Sequence, residues 1–134
     1  MTYEEKGDYD RALADCSEAI RLDPQDTSAY LNRGVAYEKK GDHDRAIAEF
    51  DKAIQLGSQW SRPYNSRGIA YSHKGDYGRA LADFSEAIRL EANEADATLF
   101  YKNRAIVYEK LGDKARARAD WDKAAELARQ ERKP

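Results

Sequence analysis

A short glycine-centred motif recurs at near-constant intervals and limits the possible folds more than any other feature of this chain. Aligning EKGDYDRALADCSEAIRLDP, KKGDHDRAIAEFDKAIQLGS, HKGDYGRALADFSEAIRLEA and KLGDKARARADWDKAAELAR places Gly7, Gly41, Gly75 and Gly112 in one column, at spacings of 34, 34 and 37 residues. A period of this size marks a repeat array. Each unit is too small to bury its own apolar face and must stack on its neighbours, which yields extended surfaces and no enclosed pocket. Binding is therefore the first expectation, ahead of catalysis.

Within a unit the apolar residues follow helical spacing: Tyr30, Val35 and Tyr37 precede Gly41, and Ala46, Ile47, Phe50, Ala53, Ile54 and Leu56 follow it. The pattern predicts two amphipathic helices around each glycine. Glycine tolerates the left-handed conformation that ends a helix, and the aspartate after it can cap the next one. A turn this short makes the two helices antiparallel neighbours.

The segments YLNRGVAYEKKGDHDRAIAEFDKAIQL and YNSRGIAYSHKGDYGRALADFSEAIRL resemble tetratricopeptide repeats. The large and small positions of that family are filled by Tyr30, Gly34, Tyr37, Ala46, Phe50 and Ala53, and again by Tyr64, Gly68, Tyr71, Ala80, Phe84 and Ala87. Tyr101, Ala105, Tyr108, Ala117, Trp121 and Ala124 supply the last set, with Ala105 in place of the small glycine. The expected fold is all-α: a right-handed α-solenoid of antiparallel helix hairpins, with three full repeats and a truncated N-terminal one. It forms one domain over 1–134, with repeats at about 1–26, 27–60, 61–94 and 95–134.

Two segments break the period. EANEADA carries three extra residues, and Asn93 with Asp96 signals a helix that starts about a turn early. In GSQWSRP, Gly57 is expected to end a helix, Ser61 to cap the next and Pro63 to fit its first turn.

The two ends differ. Leu13, Ile47 and Leu81 correspond to Arg118, and Ile20, Ile54 and Ile88 to Ala125, so the last helix, over Lys114 to Arg132, carries the polar outer face of a C-terminal edge. At the other end only TYEEK precedes Gly7, and the helix from Tyr9 to Leu22 is expected to leave Ala12, Cys16 and Ala19 partly uncovered, with Tyr3 nearby. Such an edge suits a fragment of a longer array, or self-association into a two-fold homodimer. Cys16 reads either as a small buried hydrophobe or as a thiol that pairs between chains on oxidation.

Composition narrows the partners. With 41% hydrophobic and 36% charged residues and a formal charge of −2, the chain lacks the basic footprint of a nucleic-acid or anionic-membrane binder. No stretch is apolar enough to insert in a membrane, and MTYEEKGDYD carries no signal core, so a cytoplasmic location is expected. His43 and His73 lie in different units without a catalytic partner pattern, and no metal or cofactor motif is present, so no enzyme activity, metal or cofactor is expected.

The resemblance implies a groove, lined by the first helix of each repeat, that takes a protein or peptide segment. Carried onto this chain, its residues are Asn32, Val35 and Lys39, then Arg62, Asn65, Ile69 and His73, then Lys102, Ile106 and Lys110. Lys39, Arg62, Lys102 and Lys110 outnumber the acids Glu38 and Glu109, which favours a partner segment of acidic character. A family subgroup clamps a C-terminal carboxylate, and although Asn32 and Arg62 fit its columns, Ser66 stands where a second basic residue is needed.

Overall fold

The computed structural model describes residues 1–57, 59–91 and 93–132, and among them every regular element is a helix. The helices are α1 (Tyr3–Leu22), α2 (Thr27–Lys39), α3 (His43–Leu56), α4 (Ser61–His73), α5 (Tyr77–Leu90), α6 (Glu94–Lys110) and α7 (Lys114–Glu131). They fall into two compact units, Met1–Gln59 with α1 to α3 and Trp60–Pro134 with α4 to α7. In the first unit α2 packs on α1 and α3, and in the second α4 packs on α5, α5 on α6 and α6 on α7.

The Gly-Asp junctions explain the hairpins. Gly41, Gly75 and Gly112 have φ of 85°, 80° and 78°, the left-handed region where a Cβ is strained. At the first junction Asp42 N–H donates to Tyr37 C=O at 2.9 Å and Gly41 N–H to Glu38 C=O at 2.9 Å, which together satisfy the terminal carbonyls of α2. The same aspartate then starts the next helix: the side chains of Asp42, Asp76 and Asp113 accept from the backbone N–H of Arg45, Arg79 and Arg116. One dipeptide thus closes one helix and opens the next.

Gly7 departs from this column. The expected turn is absent, and α1 runs unbroken from Tyr3 to Leu22. Thr2 accepts from Glu5 N–H while the Glu5 side chain accepts from Thr2 N–H, a reciprocal cap that starts the helix before the glycine. A glycine inside a helix costs only about 1 kcal/mol. The four residues Tyr3 to Lys6 are too few to hold a separate helix before the glycine, so a break there would cost more than it returns.

The core of each hairpin is a ring set against a missing side chain. Phe50 and Phe84 are 0% and 1% exposed, and a Cβ built on Gly34 or Gly68 would lie 2.5 or 2.7 Å from the respective ring. The facing alanines Ala46, Ala53, Ala80 and Ala87 are fully buried. Burying each phenylalanine contributes on the order of 2–3 kcal/mol. In the last hairpin, where Ala105 replaces the glycine, Trp121 is 36% exposed, and its indole N–H donates to the Glu109 carboxylate on α6.

A part-buried ion pair recurs beside each ring. Arg33 on α2 donates through Nε and Nη2 to Glu49 on α3 at 2.6 and 2.9 Å, Arg67 on α4 to Asp83 on α5 at 2.9 and 2.8 Å, and Arg104 on α6 to Asp120 on α7 at 2.8 and 2.7 Å. Each arginine precedes the small residue, and each carboxylate precedes the aromatic ring. The pairing raises the pKa of Arg33 and Arg104 above the ordinary guanidinium value, through the hydrogen bonds to Glu49 and Asp120.

α6 begins at Glu94 with Asn93 as its cap, one turn earlier relative to Gly112 than α2 and α4 begin relative to their glycines. Pro63 is fully buried in the first turn of α4. Ser61, expected as the cap, is instead the first helical residue, with its hydroxyl donating to the Glu91 carboxylate, and Trp60 holds the cap position without a side-chain bond. On α7, Arg118 and Ala125 are exposed, the helix persists through Arg129 and Gln130 to Glu131, and Lys133 and Pro134 lie outside the described residues.

Candidate functional site

The second unit contains a cleft of about 380 Å³ walled by α4 and α6 and floored by α5. Ile69, Ser72 and His73 lie three and four residues apart on α4 and share one face. Asn103, Ile106, Val107 and Lys110 do the same over two turns of α6. Tyr77 and Phe84, two turns apart on α5, close the base. The floor is closely packed: Ala80, Phe84 and Val107 form a buried cluster, with Ile69, Tyr71, Tyr77 and Leu81 packed against it.

Of the ten expected groove residues, the cleft unites Ile69, His73, Ile106 and Lys110. Lys102 is exposed two turns before Lys110 on α6. Arg62 is exposed at the start of α4, 3.9 Å from Asp96. Asn65 is 7% exposed, and its side-chain oxygen accepts from Asn103 Nδ2 at 2.9 Å, which joins α4 to α6 beside the cleft. Asn32, Val35 and Lys39 lie on α2 of the first unit, Asn32 and Lys39 exposed and Val35 half-buried.

Both apolar and polar functions face the cleft. Ile106 is 42% exposed, so its side chain is available for contact. The Ser72 hydroxyl is buried and, among the described residues, without a hydrogen-bond partner. A buried hydroxyl in that state loses its hydration unless a ligand or water replaces it. Among the described residues Lys102 and Lys110 make no ion pair, and Glu109, the acid between them, is engaged by Trp121. Sequence reasoning missed Tyr77, Phe84, Asn103 and Val107 as cleft residues; the i, i+3, i+4, i+7 spacing from Asn103 to Lys110 was the available signal for Asn103 and Val107.

The expected edge residues all lie on α1, which has no buried residue. Tyr3 is 96% exposed, and Ala12, Cys16 and Ala19 are half-buried. Partial burial pushes the Cys16 thiol above its ordinary pKa. His43 is half-buried with its Nδ1 2.8 Å from the Glu38 carboxylate. No helix of the described residues is long and apolar enough to cross a membrane.

A family model described as tetratricopeptide repeat matches residues 1–59 and 65–132. Among solved structures, MamA from Desulfovibrio magneticus is similar at a TM-score of 0.83 and 19% identity, over 95% of this chain and 70% of that one. TTC0263, a thermophilic TPR protein of Thermus thermophilus, is similar at 0.79 and 22% identity, over 91% and 66%. YrrB, described as a TPR protein with an unusual peptide-binding site, is similar at 0.75 and 26% identity, over 84% of this chain and 56% of YrrB. The chain thus spans just under two thirds of TTC0263 and little more than half of YrrB. No curated protein matches the sequence significantly.

Proposed function

We propose, since this chain belongs to the tetratricopeptide repeat family, that its protein-interaction module holds a peptide segment of acidic character in the cleft between α4 and α6, and that it is a binding adaptor and not a catalyst. The observation that carries this reading is the juxtaposition, in one cleft, of the exposed Ile106 and the Lys110 cation. An apolar anchor on Ile69 and Ile106 would supply contact, and carboxylates would approach Lys110 and Lys102. The likeness to YrrB, a protein described by its peptide-binding site, supports the same reading.

Selection from a random peptide library tests it. Wild-type protein should enrich sequences with an apolar residue flanked by Asp or Glu, and an Ile106→Glu/Lys110→Glu variant of equal helicity should not. Identical enrichment by both would overturn the reading.

A second reading is favoured by α1, which exposes Tyr3 and carries a half-open Ala12, Cys16 and Ala19 stripe. In it the α1 edge serves assembly, covered by another copy or another chain. Sedimentation that is the same for wild type and Ala12→Glu, alone and in cell extract, would count against it.

A further inference from the structure

Matching rows of side chains run along the two walls of the cleft. On α6 the row is Lys102, Ile106 and Lys110, and on α4 it is Asn65, Ile69 and His73, the same columns one repeat earlier. Residues four apart share a helix face, so each row reads polar, apolar, polar along one side of its helix. The rows lie side by side and run in one direction: Asn65 is bonded to Asn103, next to Lys102, and His73 shares the cleft with Lys110. All three residues of the α6 row are exposed, and among the described residues neither lysine makes an ion pair.

We propose that the segment held here is extended and carries an acid, an apolar residue and a second acid at alternate positions, so that the acids meet Lys102 and Lys110 while the apolar side chain enters between Ile69 and Ile106. The inference rests on the reading of the cleft as the binding site and adds the spacing and conformation of what it holds. Each four-residue step advances about 6 Å along α6. An extended chain returns to the same face every ~6.7 Å, so its alternate residues keep pace with the row, whereas immediate neighbours point to opposite faces. Width decides against a helical segment. Asn65 Oδ1 and Asn103 Nδ2, 2.9 Å apart, hold α4 and α6 in direct side-chain contact, and the cleft between them measures about 380 Å³. A helix about 10 Å across would need ~900 Å³ for the stretch that reaches both lysines, so it would ride over the cleft and miss one wall. Charge selects the acids, because Glu109, the carboxylate between the two lysines, is already engaged by Trp121.

The probes are capped peptides of one composition, two glutamates and one leucine in alanine, that differ only in spacing: AAEALAEAA, EAAALAAAE and AAAELEAAA. Each carries an uncharged dye, and binding to the full chain is followed by fluorescence anisotropy. AAEALAEAA should bind about fivefold tighter than either of the others, because a wrong spacing forfeits exposed ion pairs. Replacing one of its glutamates by glutamine should weaken it on wild type, and one of the two replacements should have no effect on a Lys102→Gln chain of equal helicity. Tightest binding by EAAALAAAE, the helical spacing, would overturn the extended conformation and leave the cleft as the site. Equal binding by all three, lost in Ile106→Glu/Lys110→Glu, would overturn the spacing alone. No binding by any of them would overturn the spacing, and the cleft with it if the peptide library is enriched identically by wild type and that double variant.

Discussion

Arg104 holds Asp120 by two parallel hydrogen bonds of 2.8 and 2.7 Å, at a site where the carboxylate side chain is 6% exposed and the guanidinium 20%. Its remaining Nη1 donates to Ser85 on α5 at 3.1 Å, so one side chain on α6 ties together the helices before and after it. Tyr101 and Tyr108 flank the guanidinium with ring centroids 5.5 and 5.9 Å from Cζ. Asp120→Ala would leave this cation buried without its anion. Breaking a buried pair costs about 3–5 kcal/mol, and the partial exposure of Arg104 puts the expected loss near 3 kcal/mol by urea denaturation. An Arg104→Met/Asp120→Leu pair should recover most of it. If Asp120→Ala leaves the urea midpoint unchanged, the pair has no structural role.

The contact of Gly68 with Phe84 gives a second expectation. A Cβ at Gly68 would stand 2.7 Å from the Phe84 ring, so Gly68→Ala should destabilise by about 1–3 kcal/mol through overpacking. Phe84→Leu in the same chain should remove part of the clash and make the double variant less unstable than the sum of the two changes. Strict additivity in thermal unfolding would show that the ring and the glycine do not press on each other.

Asp10 on α1 accepts from Lys40 Nζ, beyond the end of α2, at 2.6 Å, and this hydrogen bond holds its carboxyl below the usual aspartate pKa. A carboxylate of depressed pKa contributes stability above its unfolded value, near 3.9, and loses that contribution as pH falls through the folded value. Lys40→Ala should raise the Asp10 pKa, read from the carboxyl carbon shift in an NMR titration, and should flatten the acid limb of stability. An unchanged titration would mean that the bond is not kept in solution.

Cys16 offers a kinetic check on α1. Burial keeps its thiol protonated to higher pH than an ordinary cysteine, and the thiolate is the nucleophile. Iodoacetamide at pH 8 should therefore label the folded chain more slowly than the urea-unfolded chain, as read by mass spectrometry. Equal rates would mean that α1 does not shelter the thiol.

Much of this structure was legible because glycine and aspartate have narrow physical uses. Gly41, Gly75 and Gly112, each followed by aspartate, located three turns whose backbone only glycine adopts cheaply, and the early start of α6 was written in Asn93. Gly7 misled because the four helical residues before it are too few to form a separate helix, so the Thr2 and Glu5 cap carries α1 through the glycine. The ion pairs from Arg33, Arg67 and Arg104 were visible as columns beside the glycines and rings, but a charged residue reads as solvated until its partner is known to lie sixteen residues on. The cleft was half legible: helical spacing grouped Ile69 with His73 and Ile106 with Lys110, whereas the closure of Asn65 onto Asn103 depends on the approach of α4 to α6.

The central claim, that the cleft between α4 and α6 binds an acidic peptide through an apolar anchor, is tested most directly by NMR. A library-selected peptide is titrated into isotope-labelled protein, and backbone amide shifts are followed residue by residue. Saturable shifts centred on Ile69, Ser72, Ile106 and Lys110 are expected, weakened by added salt and lost in the Ile106→Glu/Lys110→Glu variant. Shifts confined to other helices, or unaffected by that variant, would contradict it.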